Sequence, residues 1–395
     1  MIRAVLIGVS GYGEFYLSQL LRLSKEGKVQ LLGAVVRSLT AGSQAQEHVQ
    51  SQVEQVEGVG GKVFLTPDDM YDALGRDIDL CCIPTGLSSH AALTMQALEH
   101  GCHVLVEKPA AVTVQDIDAM RKLAQKADKK VMVGFQNIYD EDIQYLKRRL
   151  LSGELGKVQT IKMSGLWTRG ADYFSRNSWA GKLNVEGEWV LDSPANNAFA
   201  HYINLLCFLG GSSFKESAKL SSIQAELYRA MPIESCDTAF VKVKTSTDIS
   251  LQYYVTHACA GNEDPRIEIK GSEGVITWSG ADTERVNRSR VMMFDTVIDH
   301  LEGAGVLVCD LNIAYALTHC INAMHVAAHI EDVPESEYSI QQTDYGEQVV
   351  INRIDAVIHE AYEQECLPGE FNVSWARASE EMDCSNLNVF NGPRS

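Results

Sequence analysis

The sequence lacks long apolar runs and clustered basic residues, and each absence excludes a class of protein. No stretch reaches the ~18 to 20 uninterrupted apolar residues of a membrane-spanning helix, and the first apolar run is too short for a signal peptide. The formal net charge of -18 repels phosphate backbones and anionic lipid, because no basic stripe reverses it locally. We therefore expect a cytoplasmic protein that binds neither nucleic acid nor membrane.

Paired cysteine motifs are also absent. The ten cysteines include no CxxC pair, and several lie inside apolar runs, which is typical of reduced structural thiols rather than of a disulfide framework. Neither His257 nor His319 has a second ligand residue at metal spacing in the sequence, so we predict no metal site.

What is present points to two domains. A chain of 395 residues exceeds what one core usually supports, and 45% hydrophobic residues can fill two. The first third alternates short β-branched runs with helical patterning, and such uniformly apolar strands are typical of a parallel sheet covered on both faces. The runs are residues 4–7, 31–36, 62–65, 78–83, 104–106 and 131–134. We predict an α/β class protein whose residues 1–135 form a doubly wound dinucleotide-binding (Rossmann) domain.

The pattern changes at about residue 136 to longer alternating segments. These are residues 158–167, 223–228, 239–244, 249–257, 266–269 and 275–278, with helical patterning at 195–209 and 310–329. They predict an α+β domain over residues 136–375, built on a large, open, mainly antiparallel sheet with one face packed on helices. The other face is expected to form a homodimer or homotetramer. Residues 376–395 are predicted to form a polar tail, either loosely ordered or strapped across the domain.

A glycine-rich turn follows the first strand. Glycines there allow the backbone to approach a pyrophosphate, whose charge is stabilised by the free N–H groups at a helix N-terminus. The spacing is GxxGxG rather than GxGxxG, so a tight turn without a ligand is the alternative interpretation. The candidate cofactor-binding residues in this turn are Gly8, Ser10, Gly11, Tyr12 and Gly13.

The second strand ends in Arg37 and Ser38, where an NAD enzyme normally has an acidic residue for the ribose hydroxyls. A guanidinium followed by a hydroxyl suits a 2'-phosphate, so NADP is favoured over NAD. The alternative is that Arg37 is only a solvent-exposed residue at the end of the strand and binds no ligand.

The segment Glu107-Lys108-Pro109 follows the fifth predicted strand and delivers a cation to the carboxyl edge of a parallel sheet, where ligands of such sheets bind. Together with Pro84-Thr85, His90 and Gln136, it resembles the Gfo/Idh/MocA family of glucose-fructose oxidoreductase and inositol dehydrogenase. Residues 152–158 and the glycine turn at 269–275 agree with this resemblance, which covers about residues 1–330.

The resemblance implies a dinucleotide-binding domain followed by a substrate domain. It places Lys108 near the nicotinamide and the substrate hydroxyl, and Glu107 where it would orient the cofactor or the lysine. The remaining residues that it implies for cofactor binding are Pro84, Thr85, His90 and Gln136.

The family also carries an aspartate and a general-base histidine four residues apart. Spacing to a downstream glycine pair places His201 at the base position and leaves Asn197 where the aspartate should stand. Counting from Asp192 keeps the aspartate, but Asn196 then replaces the base. We prefer His201, because an amide cannot abstract a proton and imidazole titrates near neutral pH.

Several polar and aromatic residues complete the predicted substrate site. On one continuous helix Asn197, His201 and Asn204 would share a face. Aromatic rings stack on sugar faces and Arg binds hydroxyls, although core packing explains either tryptophan equally well. The predicted substrate residues are Asp192, Asn196, Asn197, Asn204, Trp167, Arg169 and Trp179, with Tyr173 as a further candidate.

We predict an NAD(P)-dependent oxidoreductase that acts on a secondary alcohol of a sugar, polyol or related substrate, with Lys108 and His201 as catalytic residues. One alternative is a redox-assisted lyase or epimerase that recycles its cofactor. Another is a dinucleotide-binding regulator without turnover. A semialdehyde dehydrogenase would need an activated cysteine, and neither Cys207 nor Cys236 has an activating sequence context.

Overall fold

A computed structural model describes residues 1–37, 43–280, 282–343 and 346–394, without the side chains of residues 43–46 and 48. The chain divides into two compact units. The first unit comprises Met1–Ala111, Asp116–Tyr139 and Asn287–Leu311. The second unit comprises Val112–Gln115, Asp140–Val286 and Asn312–Ser395. These units differ from the predicted boundaries in three places: residues 287–311 and 136–139 belong to the first unit, and Val112–Gln115 belongs to the second.

The regular elements are numbered in chain order. The strands are β1 (Ile2–Ile7), β2 (Val29–Val35), β3 (Lys62–Phe64), β4 (Leu80–Ile83), β5 (His103–Val106), β6 (Val131–Val133), β7 (Val158–Leu166), β8 (Asn184–Val185), β9 (Glu188–Trp189), β10 (Leu220–Arg229), β11 (Thr238–Thr245), β12 (Ser250–Thr256), β13 (Glu263–Gly271), β14 (Gly274–Ser279), β15 (Ile330–Asp332), β16 (Tyr338–Thr343), β17 (Gly346–Ile351) and β18 (Met382–Asp383). The helices are α1 (Tyr12–Lys25), α2 (Ser43–Gly58), α3 (Pro67–Leu74), α4 (His90–Glu99), α5 (Val114–Ala127), α6 (Glu141–Leu151), α7 (Ala171–Ser175), α8 (Ala200–Leu209), α9 (Thr283–Leu301), α10 (Leu311–Ala327) and α11 (Ile354–Gln364).

The first unit contains a six-stranded parallel sheet in the order β3-β2-β1-β4-β5-β6. Its central strands are buried along almost their whole length, as expected where helices cover both faces of a sheet. All six predicted apolar runs form these strands, and the predicted doubly wound fold is confirmed. The strand order reverses between β1 and β4, which is where sheets of this kind bind their ligands.

The second unit contains a mixed sheet in the order β14-β13-β7-β12-β11-β10-β15, with β18 also paired to β10. β7 runs parallel to β12 and β10 parallel to β15, whereas the other pairs are antiparallel. The six predicted alternating segments all lie in this sheet, and the predicted mainly antiparallel domain is confirmed.

Both faces of this sheet carry packed side chains over part of their area. Neighbouring residues of β12 point to opposite faces, as strand geometry requires. Tyr253 contacts Cys320 and Met324 of α10, while Tyr254 packs 6.4 Å from the ring of Tyr362 in α11. An apolar cluster therefore covers part of the face opposite α10, and association through this sheet stays a prediction. Its members are Leu166, Tyr228, Met231, Phe240, Tyr254, Ala258, Cys259, Val333, Val349, Ile351, Ile354, Ile358, Ala361, Tyr362, Leu367 and Trp375.

Residues 376–394 form a strap across the second unit rather than a loose tail. β18 pairs with β10, and the side chain of Gln224 donates to the carbonyl of Ser379. Phe390 is 2% exposed and contacts Trp189, and its backbone exchanges two hydrogen bonds with Gln115. Among the described residues, no helix combines the length and the apolar character that crossing a bilayer requires.

Candidate active site

The glycine turn between β1 and α1 has the geometry of a phosphate cradle. Gly8 and Gly11 adopt φ values of +98° and +59°, a region that favours glycine. A Cβ on Gly13 would collide with the carbonyl oxygen of Gly8. α1 begins at Tyr12 without a side-chain cap, so its first N–H groups are suited to an anion. The residues of this turn therefore fit the pyrophosphate of a dinucleotide.

The turn lies beside the end of β4. A Cβ on Gly8 would lie 3.4 Å from Cγ2 of Thr85, and one on Gly13 would lie 3.7 Å from Cγ of Pro84. The structure thus brings the predicted Pro84 and Thr85 to the glycine turn. Arg37 lies exposed just after β2, whereas Ser38 is outside the described residues.

Glu107 positions the backbone at the end of β5. Its carboxylate is 6% exposed, accepts from the hydroxyl of Tyr16 at 2.8 Å and accepts from the backbone N–H of Lys108 at 3.0 Å. Burial raises the pKa of this carboxyl, while the charge of Lys108 and the bond from Tyr16 act in the opposite direction. Gly134 is required beside it, because any Cβ there would collide with Glu107. The arrangement holds Lys108 at the carboxyl edge of the sheet.

His90 and Gln136 are both buried in the first unit. The ring nitrogens of His90 lie 2.7 Å from the carbonyl oxygen of Pro109 and 3.0 Å from that of Thr85. His90 therefore ties the segment after β4 to the segment after β5. Gln136 is 4% exposed, and no described residue bonds to its Oε1 atom. Direct contact of either residue with the cofactor stays a prediction.

Arg290 of α9 also lies near the glycine turn, although it was not predicted from the sequence. Its guanidinium lies 5.6 Å from the ring centre of Tyr12, and its charge lowers the pKa values of Tyr12 and Glu107 against the effect of burial. Phe294, one turn later, packs edge-on against Tyr16 at 4.9 Å. The spacing of Arg290 and Phe294 indicates that they share one face of a helix, but nothing in the sequence showed that this helix belongs to the first unit.

In the second unit, a π-helical turn at Pro194–Ala198 precedes α8. Such turns occur frequently at functional sites. His201 is half-buried in the first turn of α8, and its role as the general base stays a prediction. The expected continuous helix over 195–209 is wrong, because α8 begins at Ala200. The shared face predicted for Asn197, His201 and Asn204 therefore does not follow from α-helical spacing.

The two alternatives for the aspartate lie next to each other. Asn197 donates to Oδ1 of Asp192 at 2.9 Å, and the backbone of Gly181 donates to Oδ2 at 2.7 Å. Asn196 is instead structural, since it is 1% exposed and donates to the carbonyls of Val190 and Leu191. The π-helical turn thus presents a carboxylate–amide pair just before His201.

Two buried polar residues belong to α8 or pack against it: Asn204 lies in α8, and Lys147 of α6 contacts the end of α8. Asn204 is fully buried, and no described residue bonds to either atom of its amide. The amine of Lys147, not considered from the sequence, donates to the carbonyls of Phe208, Leu209 and Gly211 and so satisfies the end of the helix. Burial lowers the pKa of Lys147 to about 7.

The predicted aromatic residues form one cluster after β7. Trp167 stacks on Phe199 with ring centres 4.5 Å apart, and its indole N–H donates to Asp264 at 2.9 Å. His257 lies beneath, with Nδ1 2.6 Å from the carbonyl oxygen of Trp167. Burial, with the charge of Arg169, lowers the pKa of His257 to about 3 and keeps its ring neutral. Trp167 is thus held by packing on at least one face.

The described cysteines offer no activated nucleophile. All ten are free and nine are buried. Burial raises the pKa of Cys207 well above its usual value and that of Cys236 to about 12. Neither thiol forms a thiolate near neutral pH, which argues against a semialdehyde dehydrogenase.

Sequence comparisons identify relatives of each half of the chain. The family model "Oxidoreductase family, NAD-binding Rossmann fold" matches residues 2–135, and the model "GFO/IDH/MocA C-terminal domain" matches residues 143–277. An inositol 2-dehydrogenase of Salmonella typhimurium is 22% identical over 234 residues, which cover 59% of this chain and 64% of the relative.

Two further relatives match over shorter stretches. An uncharacterized oxidoreductase of Synechocystis is 27% identical over 194 residues, 47% of this chain and 51% of the relative. A 1-carboxy-3-chloro-3,4-dihydroxycyclohexa-1,5-diene dehydrogenase of Comamonas testosteroni is 36% identical over 110 residues, 28% of this chain and 27% of the relative. The chain thus spans between about a quarter and two thirds of the curated relatives it matches.

Solved structures share the fold at low identity. The WlbA dehydrogenase of Bordetella pertussis, in complex with NADH and UDP-GlcNAcA, superposes with a TM-score of 0.68 at 22% identity, covering 82% of this chain and 95% of that one. A myo-inositol dehydrogenase of Corynebacterium glutamicum gives 0.62 at 16% identity, with coverage of 82% and 95%. Taken with the two family models, these matches show that the chain belongs to the Gfo/Idh/MocA family of NAD-binding oxidoreductases.

Proposed function

We propose that the protein is a dehydrogenase that transfers hydride between a nicotinamide cofactor and a secondary alcohol of a sugar, polyol or related substrate. The observation that supports this most directly is the buried Glu107 carboxylate, which holds the backbone of Lys108 at the carboxyl edge of an NAD-binding sheet. The inositol dehydrogenases among its relatives support the same substrate class.

Each catalytic residue has a distinct proposed role. The nicotinamide, when bound, accepts the hydride that leaves the alcohol carbon. His201 takes the hydroxyl proton, and the ammonium group of Lys108 stabilises the developing alkoxide by charge and hydrogen bonding. The Asp192–Asn197 pair fixes the turn before His201 and offers polar atoms to substrate hydroxyls. In the reverse direction His201 returns the proton to the oxygen.

We further propose that NADP is the preferred cofactor. Arg37 is exposed just after β2, where the adenosine ribose binds in sheets of this type, and its guanidinium suits a 2'-phosphate. Titration calorimetry with NADP and NAD tests this, with Arg37→Asp as the variant. The preference should reverse in Arg37→Asp, and equal affinities in the unaltered protein would contradict it. Cytoplasmic location stays a prediction.

The central experiment measures NADH or NADPH formation over a panel of polyols and sugars for Lys108→Met. Turnover should fall by ~10²-fold or more while cofactor affinity is retained. Lys122→Met, which removes an exposed lysine of α5, is the matched control. Near-normal turnover of Lys108→Met would contradict the assigned role.

Two other outcomes would support the alternative functions. A product formed without net cofactor reduction would indicate an epimerase or lyase that recycles its nicotinamide. Tight cofactor binding with no reaction over the whole panel would favour a regulator, for which the only sequence support is Asn197 at the position of the usual aspartate.

A further inference from the structure

Two arginines surround one tyrosine ring in the second unit. The guanidinium carbon of Arg176 lies 3.6 Å from the ring centre of Tyr173, and that of Arg169 lies 4.8 Å from it. Arg176 also lies 5.1 Å from the ring of Trp179. Tyr173 is half-buried and Arg176 is exposed, so solvent reaches this arginine cluster.

Neither guanidinium is neutralised within the part of the chain that the structure describes. No described carboxylate lies within 4.0 Å of either group, and the buried Nε of Arg169 has no hydrogen-bond partner there. Arg169 donates to the carbonyl of Thr168 through Nη1, and its side chain also hydrogen-bonds Tyr173. This is unusual in a chain with 52 acidic and 34 basic residues, where Arg229 and Arg285, for example, both pair with carboxylates.

The local charge suits one negative group. Both arginines act on His257, whose pKa they help to lower, so their fields converge on one small region. The charge of Asp192 helps to raise the pKa of Tyr173, and this carboxylate is already bonded to Gly181 and Asn197. Two positive charges and one negative charge leave an excess of about one positive charge, which matches a carboxylate better than a dianionic phosphate.

The cluster also connects to the predicted catalytic turn. The amide nitrogen of Asn197 lies 3.5 Å from the hydroxyl of Tyr173 and 2.9 Å from Asp192, in the turn that leads into α8 and His201. A ligand group held by the arginines would therefore lie next to the residues that face the reacting alcohol.

We propose that Arg169 and Arg176 bind a carboxylate of the substrate, which makes the substrate a sugar acid or another hydroxy acid. This inference rests on the proposed dehydrogenase function and narrows its substrate class. Arg169 supplies the buried donor and Arg176 the solvent-facing one, while Tyr173 keeps the two guanidinium planes in place by stacking.

The experiment compares acids with their neutral analogues on the NAD-loaded protein by titration calorimetry. The pairs are D-glucuronate with D-glucose, D-galacturonate with D-galactose, and D-gluconate with D-glucitol. At least one acid should bind about 10- to 100-fold more tightly than its partner, as expected for charge-assisted hydrogen bonds to two arginines. D-glucose 6-phosphate serves as the phosphate probe.

The variants are Arg169→Gln, Arg176→Gln and the conservative Arg169→Lys. Both glutamine variants should weaken binding of the acid more than binding of its neutral analogue, so that the preference for the acid is lost, and Arg169→Lys should recover part of it. Arg148→Gln is the matched control, because Arg148 is exposed and also lies over a tyrosine ring, at 5.8 Å from Tyr145. Circular dichroism of each variant monitors folding.

Three results would overturn the proposal: no acid binds more tightly than its analogue, the preference survives both glutamine variants, or the phosphate probe binds most tightly. Cofactor reduction by the same panel separates this proposal from the dehydrogenase function. Reduction by neutral polyols alone would refute only the carboxylate site. Arginine-dependent binding of acids without any reduction would refute only the dehydrogenase function.

Discussion

Replacing Tyr16 with phenylalanine removes one hydroxyl from the buried contact that holds Glu107 in the first unit. Tyr16 is fully buried, and its hydroxyl is 2.8 Å from the carboxylate. A hydrogen bond to a charged buried group contributes about 1.5–3 kcal/mol, so we expect a loss of that size at pH 8. Water cannot readily replace the hydroxyl, because the ring of Phe294 and the backbone of Gly134 close the space.

The loss should depend on pH. Burial already raises the pKa of Glu107, and removing the bond from Tyr16 raises it further. A carboxyl whose folded pKa is raised costs stability as the pH rises through that pKa, whereas the cost is absent where the group is protonated in both states. The destabilisation by Tyr16→Phe should therefore be larger at pH 8 than at pH 5.

Native-state hydrogen exchange of β5 is the suitable assay, because all five tryptophans lie in the second unit and fluorescence does not report on the first. Tyr71→Phe is the matched control, since Tyr71 is 2% exposed and its hydroxyl makes a weak bond to the sulfur of Cys81, at 3.5 Å. It should cost about 1 kcal/mol or less, equally at both pH values. Similar losses for both variants, or a loss from Tyr16→Phe that ignores pH, would refute the reasoning.

Two further predictions concern Arg290 and His325. Arg290→Gln should weaken the binding of NAD and of ADP by about 10-fold and leave the binding of adenosine unchanged in titration calorimetry, because it removes a charge beside the phosphate cradle. The control is Arg288→Gln, which changes an exposed arginine of the same helix. An equal loss of affinity for adenosine would contradict a phosphate contact. His325→Leu should flatten the acid loss of stability in urea unfolding. Burial lowers the His325 pKa from 6.5 to about 4, so the unfolded chain takes up a proton first, costing up to about 1.4 kcal/mol per pH unit between those values. If the free energy of unfolding varies with pH in the same way in His325→Leu and in the unaltered protein, the prediction for His325 is refuted.

The first unit was largely predictable from sequence because its signals are local. Six apolar runs gave six strands, and the glycine turn and Glu107-Lys108 fell at the strand ends where ligands bind. Arg290 was not predicted to join them, since it lies far along the chain and reaches them through long-range contacts of α9, such as Phe294 with Tyr16 and Asp295 with Arg22.

The residues around His201 were harder to predict, because the turn before α8 breaks α-helical periodicity. An α-helical count through residues 195–209 separates Asp192 from Asn197 and forces a choice between them. The π-helical turn instead places the two side chains in contact, with Asn196 turned inward to the carbonyl of Val190. No local pattern distinguishes such a turn from an ordinary helix start.

The apolar cluster on the second sheet limits which of its residues could take part in self-association. If they were exposed, Phe240 and Tyr254 would favour association with another apolar surface. The segment that carries α11 and Trp375 buries them. Trp375 is 8% exposed and packs edge-on against Tyr228 at 4.7 Å. A homo-oligomer stays a prediction, and Phe240 and Tyr254 are not accessible to a partner while this cover is in place.

Replacing Trp375 with alanine tests whether the cover is what keeps this face from a partner. Removing a large buried ring costs about 3–5 kcal/mol, and here the loss falls on the cover rather than on the sheet. We expect Trp375→Ala to lower the urea midpoint and to increase concentration-dependent association in light scattering, because an apolar sheet face becomes accessible. If the variant is destabilised but keeps the molar mass of the unaltered protein at every concentration, the cover contributes stability only, and the sheet face has no tendency to pair.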